Sequence, residues 1–430
     1  MSKFSRRDFI KLTGAATALG SLGWPLNSLA NVGHPKARVV VIGGGYGGAT
    51  CAKYIRKMAP GIDVTLVEQN KKYTTCPFSN TVLGGLKKIE DITHSYDNLK
   101  NRHGVKVVHD LAKEVDPVKK IVTLNSGTTL PYDKLVMSPG IEFIWGAIPG
   151  YDQAAADIMP HAWKAGPQTT LLRNKLEAMK DGGTVLIVAP SNPYRCPPGP
   201  YERASLICHY FKQHKPKSKV IILDPKDKFS KQALFTGGWE TLYPGMIEWV
   251  SKSAGGQVVR VDTKAMEVEN STGFTYQGDV INVIPPHRAG TIAQRTGLAD
   301  KSGWCPVDQT TFESTVFKGI YVIGDAALAG KMPKSGYAAG SQGKVCAAAV
   351  VASLGGLNMP EPSYVNTCYS LVGPDYGISV AAVYRITGKG ITPVKGAGGG
   401  SPKEVDDTFR NMEAVYAQGW YDSTVADMFD

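Results

Sequence analysis

The chain has 430 residues, 43% of them hydrophobic and 20% charged, an ordinary globular composition with room for two or three domains. The formal net charge is +11, yet no basic-aromatic stripe or nucleic-acid motif accompanies it. This excludes a nucleic-acid role and leaves solubility or docking to an acidic protein as the uses of that charge.

The first thirty residues read as an address. Arg6 and Arg7 precede a mild apolar run from Leu12 to Leu22, and Ser28-Leu-Ala30 closes the segment. Twin arginines before a modest apolar stretch and a small-x-Ala end predict a twin-arginine export signal over residues 1–30, hence a bacterial periplasm. Its Lys3, Arg6, Arg7 and Lys11 against Asp8 leave +8 on the remainder. No later segment approaches the roughly eighteen apolar residues of a membrane span.

Next comes RVVVIGGGYGGAT. Val39 to Ile42 has the β-branched character of a buried parallel strand. Gly43, Gly45 and Gly48 then form GxGxxG as a helix opens over residues 49–57, and the strand of residues 63–67 ends at Glu68. Gly43 makes the tight turn, Gly45 admits a pyrophosphate, Gly48 lets helix and strand approach, and Glu68 accepts from a ribose hydroxyl. Strand, glycines, helix, strand and acid in that order predict a dinucleotide-binding unit.

A second unit follows, with a strand over residues 184–189, a helix over 200–213 and a strand over 219–223 before Asp224. Its loop, PSNPYRCPPGPYE over residues 190–202, has five prolines where a phosphate loop would be glycine-rich. Proline offers no N–H to a phosphate, and its ring fills the space glycine would clear. The unit is therefore expected to keep the βαβ fold and to lack a nicotinamide site. Cys196 lies just before the helix start and beside Arg195, which favours its thiolate. Packing or a structural disulfide is an equal alternative for this residue. Glu202, in the first helical turn, is placed either to move a proton or merely to complement the macrodipole.

Further on, TFESTVFKGIYVIGD places Gly324 and Asp325 at a strand end. A Gly-Asp strand end returning to the first unit is the second FAD signature of two-dinucleotide flavoproteins, with Asp325 accepting from the ribityl chain. The loop through Gly336 and Tyr337 leads into a helix over 338–354, whose N-terminus would face the flavin pyrimidine. The expected cofactor is FAD.

None of the seven cysteines forms CxxC, CxxxxC or CxxCH. This excludes a local redox pair of the usual spacing and a c-type haem on this chain. No Cys/His cluster has zinc spacing either, and no metal is expected.

Over essentially the whole exported chain, the sequence resembles the flavoprotein subunit of flavocytochrome c sulfide dehydrogenase, of the glutathione-reductase-like fold. The resemblance is carried by RCPPGPYERAS, WCPVD, TFES, GKMPKSGYAAGSQGKV and NTCYS with YGISVAA. It implies a redox-active disulfide between Cys196 and Cys368, with Glu202 as the proton-transfer residue. KYTTCPFSN implies a covalent FAD thioether at Cys76, although Pro77 departs from the family pattern. It also implies sulfide oxidation to sulfur or polysulfide, with electrons passing to a c-type haem on a partner cytochrome subunit. Cys51, Cys208 and Cys346 read as structural, Cys305 is unassigned, and no histidine receives a role.

The expected fold class is α/β: two Rossmann-like domains plus a smaller C-terminal α+β domain. Residues 36–150 and 286–360 would form the FAD domain, 151–285 the degenerate second domain, and 361–430 an interface domain. A sulfide:quinone oxidoreductase is the nearest alternative. Against it, residues 401–430 hold two basic residues and seven acids, a poor match to anionic lipid. A type II NADH dehydrogenase is weaker, and a non-catalytic FAD-binding carrier or thiol-repair partner is the alternative from another class.

Overall fold

A computed structural model describes residues 36–430, so the predicted export signal lies outside the described residues. Strand β1 (Arg38–Ile42), helix α1 (Tyr46–Met58), β2 (Asp63–Val67), β3 (Lys106–Val108) and β4 (Lys134–Met137) begin the first domain. β1 pairs in parallel with β2 and β4 and is buried along nearly its whole length, as its unbroken valine-isoleucine run requires. Helix α1 starts three residues earlier than the sequence pattern suggests, because its glycines are helical. A Cβ on Gly48 would stand 1.9 Å from the Gly43 carbonyl oxygen, so close packing overrides glycine's poor helix propensity.

The chain then crosses to a second domain containing β5 (Thr184–Val188), α2 (Gly199–His214), β6 (Lys219–Leu223), α3 (Gln232–Leu242), β7 (Ile247–Val250) and β8 (Val280–Val283). These strands form a parallel sheet in the order β7-β6-β5-β8. The crossing is marked by the antiparallel pair Ile141–Phe143 and His287–Ala289, where the chain leaves the first domain and comes back. Each domain also carries a three-stranded antiparallel sheet, over residues 112–131 and 258–277.

On its return the chain adds β9 (Ile320–Val322) to the first sheet, giving the order β9-β4-β1-β2-β3. It continues into α4 (Gly336–Gly355), capped by the Ser335 hydroxyl accepting from Ala338 N–H. Helices α4 and α1 meet across small residues: a Cβ on Gly343 would come 2.6 Å from the Gly47 carbonyl. Cys51 and Cys346 lie in these two helices and are wholly buried.

The last seventy residues form an antiparallel sheet of β10 (Ser363–Gly373), β11 (Tyr376–Thr387) and β12 (Gly390–Gly400), followed by α5 (Asp407–Phe429). Asp406 caps α5 by accepting from Phe409 N–H. The far end of α5 is held by the first domain. Lys53 Nζ donates to the Ala426 and Asp427 carbonyls, where a cation complements the helix dipole. Lys344 pairs with Asp427 at 2.6 Å, and Tyr421 meets Thr75 at 2.9 Å. The C-terminal sheet and helix are thereby clamped over the loop that carries Cys76.

Candidate active site

One pocket runs from the glycine loop to the C-terminal sheet. It is lined by Gly45, Tyr46 and Gly47, by Asp325, Gly336 and Tyr337, and by Cys76, Cys196, Glu202 and Cys368. Six separate segments supply these groups. α1 and α4 contribute their N-termini, the turn after β9 contributes Asp325, the loop before Phe78 contributes Cys76, the proline loop and first turn of α2 contribute Cys196 and Glu202, and β10 contributes Cys368.

At the glycine end the backbone is fixed by sterics. Gly43 has φ +97°, and a Cβ there would strike the Ser138 carbonyl at 2.2 Å. A Cβ on Gly45 would instead point toward the Tyr73 hydroxyl at 3.2 Å, filling the cradle. Glu68 accepts from Gly44 N–H at 2.9 Å, as a ribose-binding acid at the end of β2 should be placed. Asp325 is buried with Oδ1 unpartnered. Burial pushes its pKa up, while the charges of Arg195 and Lys334 pull it down. The Tyr46 hydroxyl is also buried and unpartnered. A tight glycine loop, an acid after β2 and an orphaned buried carboxylate lining the same pocket fit an FAD. Gly43, Gly45, Gly48, Glu68 and Asp325 would hold it.

The second domain differs at each corresponding point. Asp224, after β6, is wholly buried and committed to internal partners. It accepts from Tyr201 at 2.5 Å and Trp249 Nε1 at 3.0 Å, and pairs with Lys226 at 2.6 Å. Tyr201 in turn stacks on Phe229 with ring centroids 3.7 Å apart. No acceptor is left on that side for a ribose.

At the cysteine end, Cys196 shifts the titration of its neighbour Cys76. The Cys76 thiol is lowered to about 6, first by Cys196 and further by Arg195 and Arg203. Cys196 is pushed well up by Cys76, and burial adds to the rise. Arg195 lies against both sulfurs, and its charge favours a thiolate in this pair. Cys196 itself adopts φ +60°, a left-handed conformation that a non-glycine residue holds only under constraint. Cys368 shares the pocket, and its thiol is raised by burial and lowered by Lys231. All seven cysteines are free thiols in the structure.

Glu202 sits between these sulfurs and the β10 backbone. Oε1 accepts from Leu371 N–H at 2.9 Å and Oε2 from Asn80 Nδ2 at 2.8 Å. Burial raises its carboxyl pKa, while those two hydrogen bonds and the charges of Lys231 and Arg203 pull it back. A buried acid with a raised pKa is suited to hold and release a proton.

Several contributors have no counterpart in the sequence reading. Arg203 is 1% exposed, and its guanidinium reaches Asn80 Oδ1, the His161 carbonyl, Asn282 Oδ1 and the Ala162 carbonyl. It therefore fixes Asn80, which fixes Glu202. A cation near the N-terminus of α2 opposes the helix dipole, and that misfit is the signal that could have exposed it. His287 Nδ1 accepts from Arg195 N–H at 3.2 Å, and burial lowers the His287 pKa well below its ordinary value. Lys334 donates to the Asp325 and Ala327 carbonyls and lies over the Trp304 ring.

Fold and site together define a flavoprotein of the disulfide-oxidoreductase type. Residues 37–175 match the pyridine nucleotide-disulphide oxidoreductase family. Residues 169–285 match the central domain of the sulfide dehydrogenase [flavocytochrome c] flavoprotein chain, and residues 360–429 the flavocytochrome c sulphide dehydrogenase flavin-binding domain. Residues 3–23 match the twin-arginine translocation signal.

A sulfide dehydrogenase [flavocytochrome c] flavoprotein chain of Chlorobaculum thiosulfatiphilum is 64% identical over 45 residues, which are 10% of this chain and 94% of that sequence. The chain belongs to the flavocytochrome c sulfide dehydrogenase flavoprotein family. It is also 24% identical over 311 residues to the mitochondrial sulfide:quinone oxidoreductase of Mus musculus, covering 67% of this chain but only 65% of the mouse protein. Among solved structures, the Aquifex aeolicus sulfide:quinone oxidoreductase superposes with TM-score 0.70 at 18% identity, over 91% of each chain. A NAD-dependent persulfide reductase from A. fulgidus gives 0.60 at 16% identity, over 91% of this chain and 77% of that one. Those likenesses establish the shared fold.

Proposed function

We propose that the protein is a periplasmic sulfide dehydrogenase that oxidises hydrogen sulfide to sulfur or polysulfide. Electrons would pass through a Cys196–Cys368 disulfide and FAD to a c-type haem on a cytochrome subunit. The supporting observation is that Cys196 and Cys368, from α2's leading loop and from β10, meet in one pocket with Glu202 and with the flavin-binding groups. Bound FAD would accept the electron pair and release it one electron at a time.

The chain's own residues divide the remaining work. Hydrosulfide attacks one sulfur of the disulfide, leaving a persulfide on one cysteine and a thiolate on the other. Glu202, held by Asn80 and Leu371 N–H, returns or removes the proton at the sulfur. Cys76, whose thiol pKa is lowered beside Cys196 and Arg195, is the residue that would tether FAD by a thioether. The blocked loop and the internally committed Asp224 speak against NADH as the electron source. A quinone acceptor is supported by the likeness to sulfide:quinone oxidoreductases. Among the described residues, no helix is long and apolar enough to cross a membrane.

Anaerobic titration of the purified protein with sulfide, and separately with NADH, tests the reading through flavin absorbance. Sulfide alone should bleach the flavin. Bleaching by NADH alone would overturn it, and a flavin untouched by sulfide would favour a carrier or thiol-repair role.

A further inference from the structure

Three non-glycine residues in left-handed backbone conformations surround the cysteine end of the pocket. They are Phe78 (φ +67°), Cys196 (φ +60°) and Lys231 (φ +61°). Such residues persist only where the surrounding structure holds them, and they gather at functional sites. Phe78 and Cys196 line the pocket directly. Lys231 immediately precedes α3 in the second domain, yet its side chain leaves that domain. Its Nζ donates to Ser370 Oγ at 2.9 Å and to the Cys368 carbonyl at 3.3 Å, both on β10. Ser370 is 1% exposed, so the ammonium is fixed by a buried hydroxyl. The neighbouring Ser230 completes that wall of the pocket.

We infer that Lys231 is a positioning residue for thiol exchange, its ammonium fixing the Cys368 segment and stabilising the Cys368 thiolate released when the disulfide opens. This inference rests on the sulfide-oxidising reading above. The step balances without an added oxidant. Hydrosulfide forms an S–S bond to Cys196 and keeps its hydrogen as the persulfide –SSH. The Cys196–Cys368 bond breaks, and its electron pair departs on the Cys368 sulfur. An anion then appears where there was none, in a buried setting that disfavours it. Glu202 faces that sulfur and raises its pKa, Cys196 lies beside it, and Lys231 supplies the opposing charge, while a Cys76 thioether would carry no charge there. A point charge on a flexible stem, fixed at one end by Ser370, suits this task.

The test uses the purified FAD-loaded protein, reduced with dithiothreitol and freed of it. Cys368 alkylation by iodoacetamide is followed against pH by mass spectrometry of its peptide. Lys231→Met should raise the midpoint by about one unit and slow alkylation near pH 8 by about tenfold, while Lys231→Arg stays within about twofold of wild type. A Lys231→Met midpoint equal to wild type, with turnover lost, would mean that the lysine is only a tether between domains, and the inference fails. Should the methionine variant not retain flavin, Lys231→Gln provides the same comparison. The two readings fail separately. Wild-type flavin that sulfide does not bleach sinks the proposed function, whereas bleaching with an unshifted Lys231→Met profile sinks this inference alone.

Discussion

Glu202 shows how a single buried carboxyl links chemistry to stability. Its raised pKa means that the folded protein binds the proton more tightly than the unfolded chain does. The contribution to stability is therefore fully present below the ordinary glutamate value of about 4.3, and it is lost as pH rises through the folded value. Glu202→Gln cannot ionise and escapes that loss. Thermal denaturation of both proteins at about pH 4 and about pH 8 should show the melting-temperature difference moving in the variant's favour at the higher pH. A difference independent of pH would mean that the carboxyl does not titrate against folding. The same variant should lose any limb of the pH profile for sulfide-dependent flavin reduction that Glu202 governs, because glutamine has no proton to exchange.

At the scale of elements, the second domain is a dinucleotide fold whose binding end has been rebuilt as core. Asp224 stands where a ribose acid would stand, but Tyr201, Trp249 and Lys226 consume it. Removing one partner of a buried, hydrogen-bonded ion pair costs about 3–5 kcal/mol. Asp224→Ala should therefore lose stability of that order in urea denaturation without changing FAD content, and a loss below about 1 kcal/mol would refute the structural role. These elements were legible because physics leaves few options. A parallel strand buried on both faces needs an unbroken β-branched run, and β1, β5 and β6 each have one. The start of α1 was less legible, since the need for Gly48 to sit against Gly43 cannot be read from local propensity. Cys196 and Glu202 stood out locally at the start of α2, but Cys368 and its pairing were legible only through family likeness, because no spacing predicts that β10 will lie over α2. Arg203, Asn80 and Lys231 were missed for a related reason. Each acts across more than a hundred residues of chain, and a single polar residue leaves no periodic mark.

For the whole molecule, the question is where the electrons leave. The chain is basic overall, at +11 including the export signal, while α5 and its approach are acidic. Some of that acidity is neutralised locally, Asp427 by Lys344 and Glu413 by Arg410. A basic body attracts an acidic protein over roughly a Debye length, which shrinks from about 30 Å at 0.01 M salt to about 10 Å at 0.1 M. Reduction of an acidic c-type cytochrome by the sulfide-reduced protein should therefore slow by about tenfold between about 10 mM and about 300 mM salt. A basic c-type cytochrome should react more slowly at low salt and show little slowing as salt rises. Stopped-flow absorbance of the haem would read both. A salt-independent rate for the acidic cytochrome would remove electrostatic docking from the account. Rapid oxidation by a quinone in anionic vesicles, with neither cytochrome reduced, would move the acceptor from a soluble haem to the membrane. The acidity around α5 argues against that outcome, because a surface approaching anionic lipid gains about 1 kcal/mol for each lysine or arginine it presents.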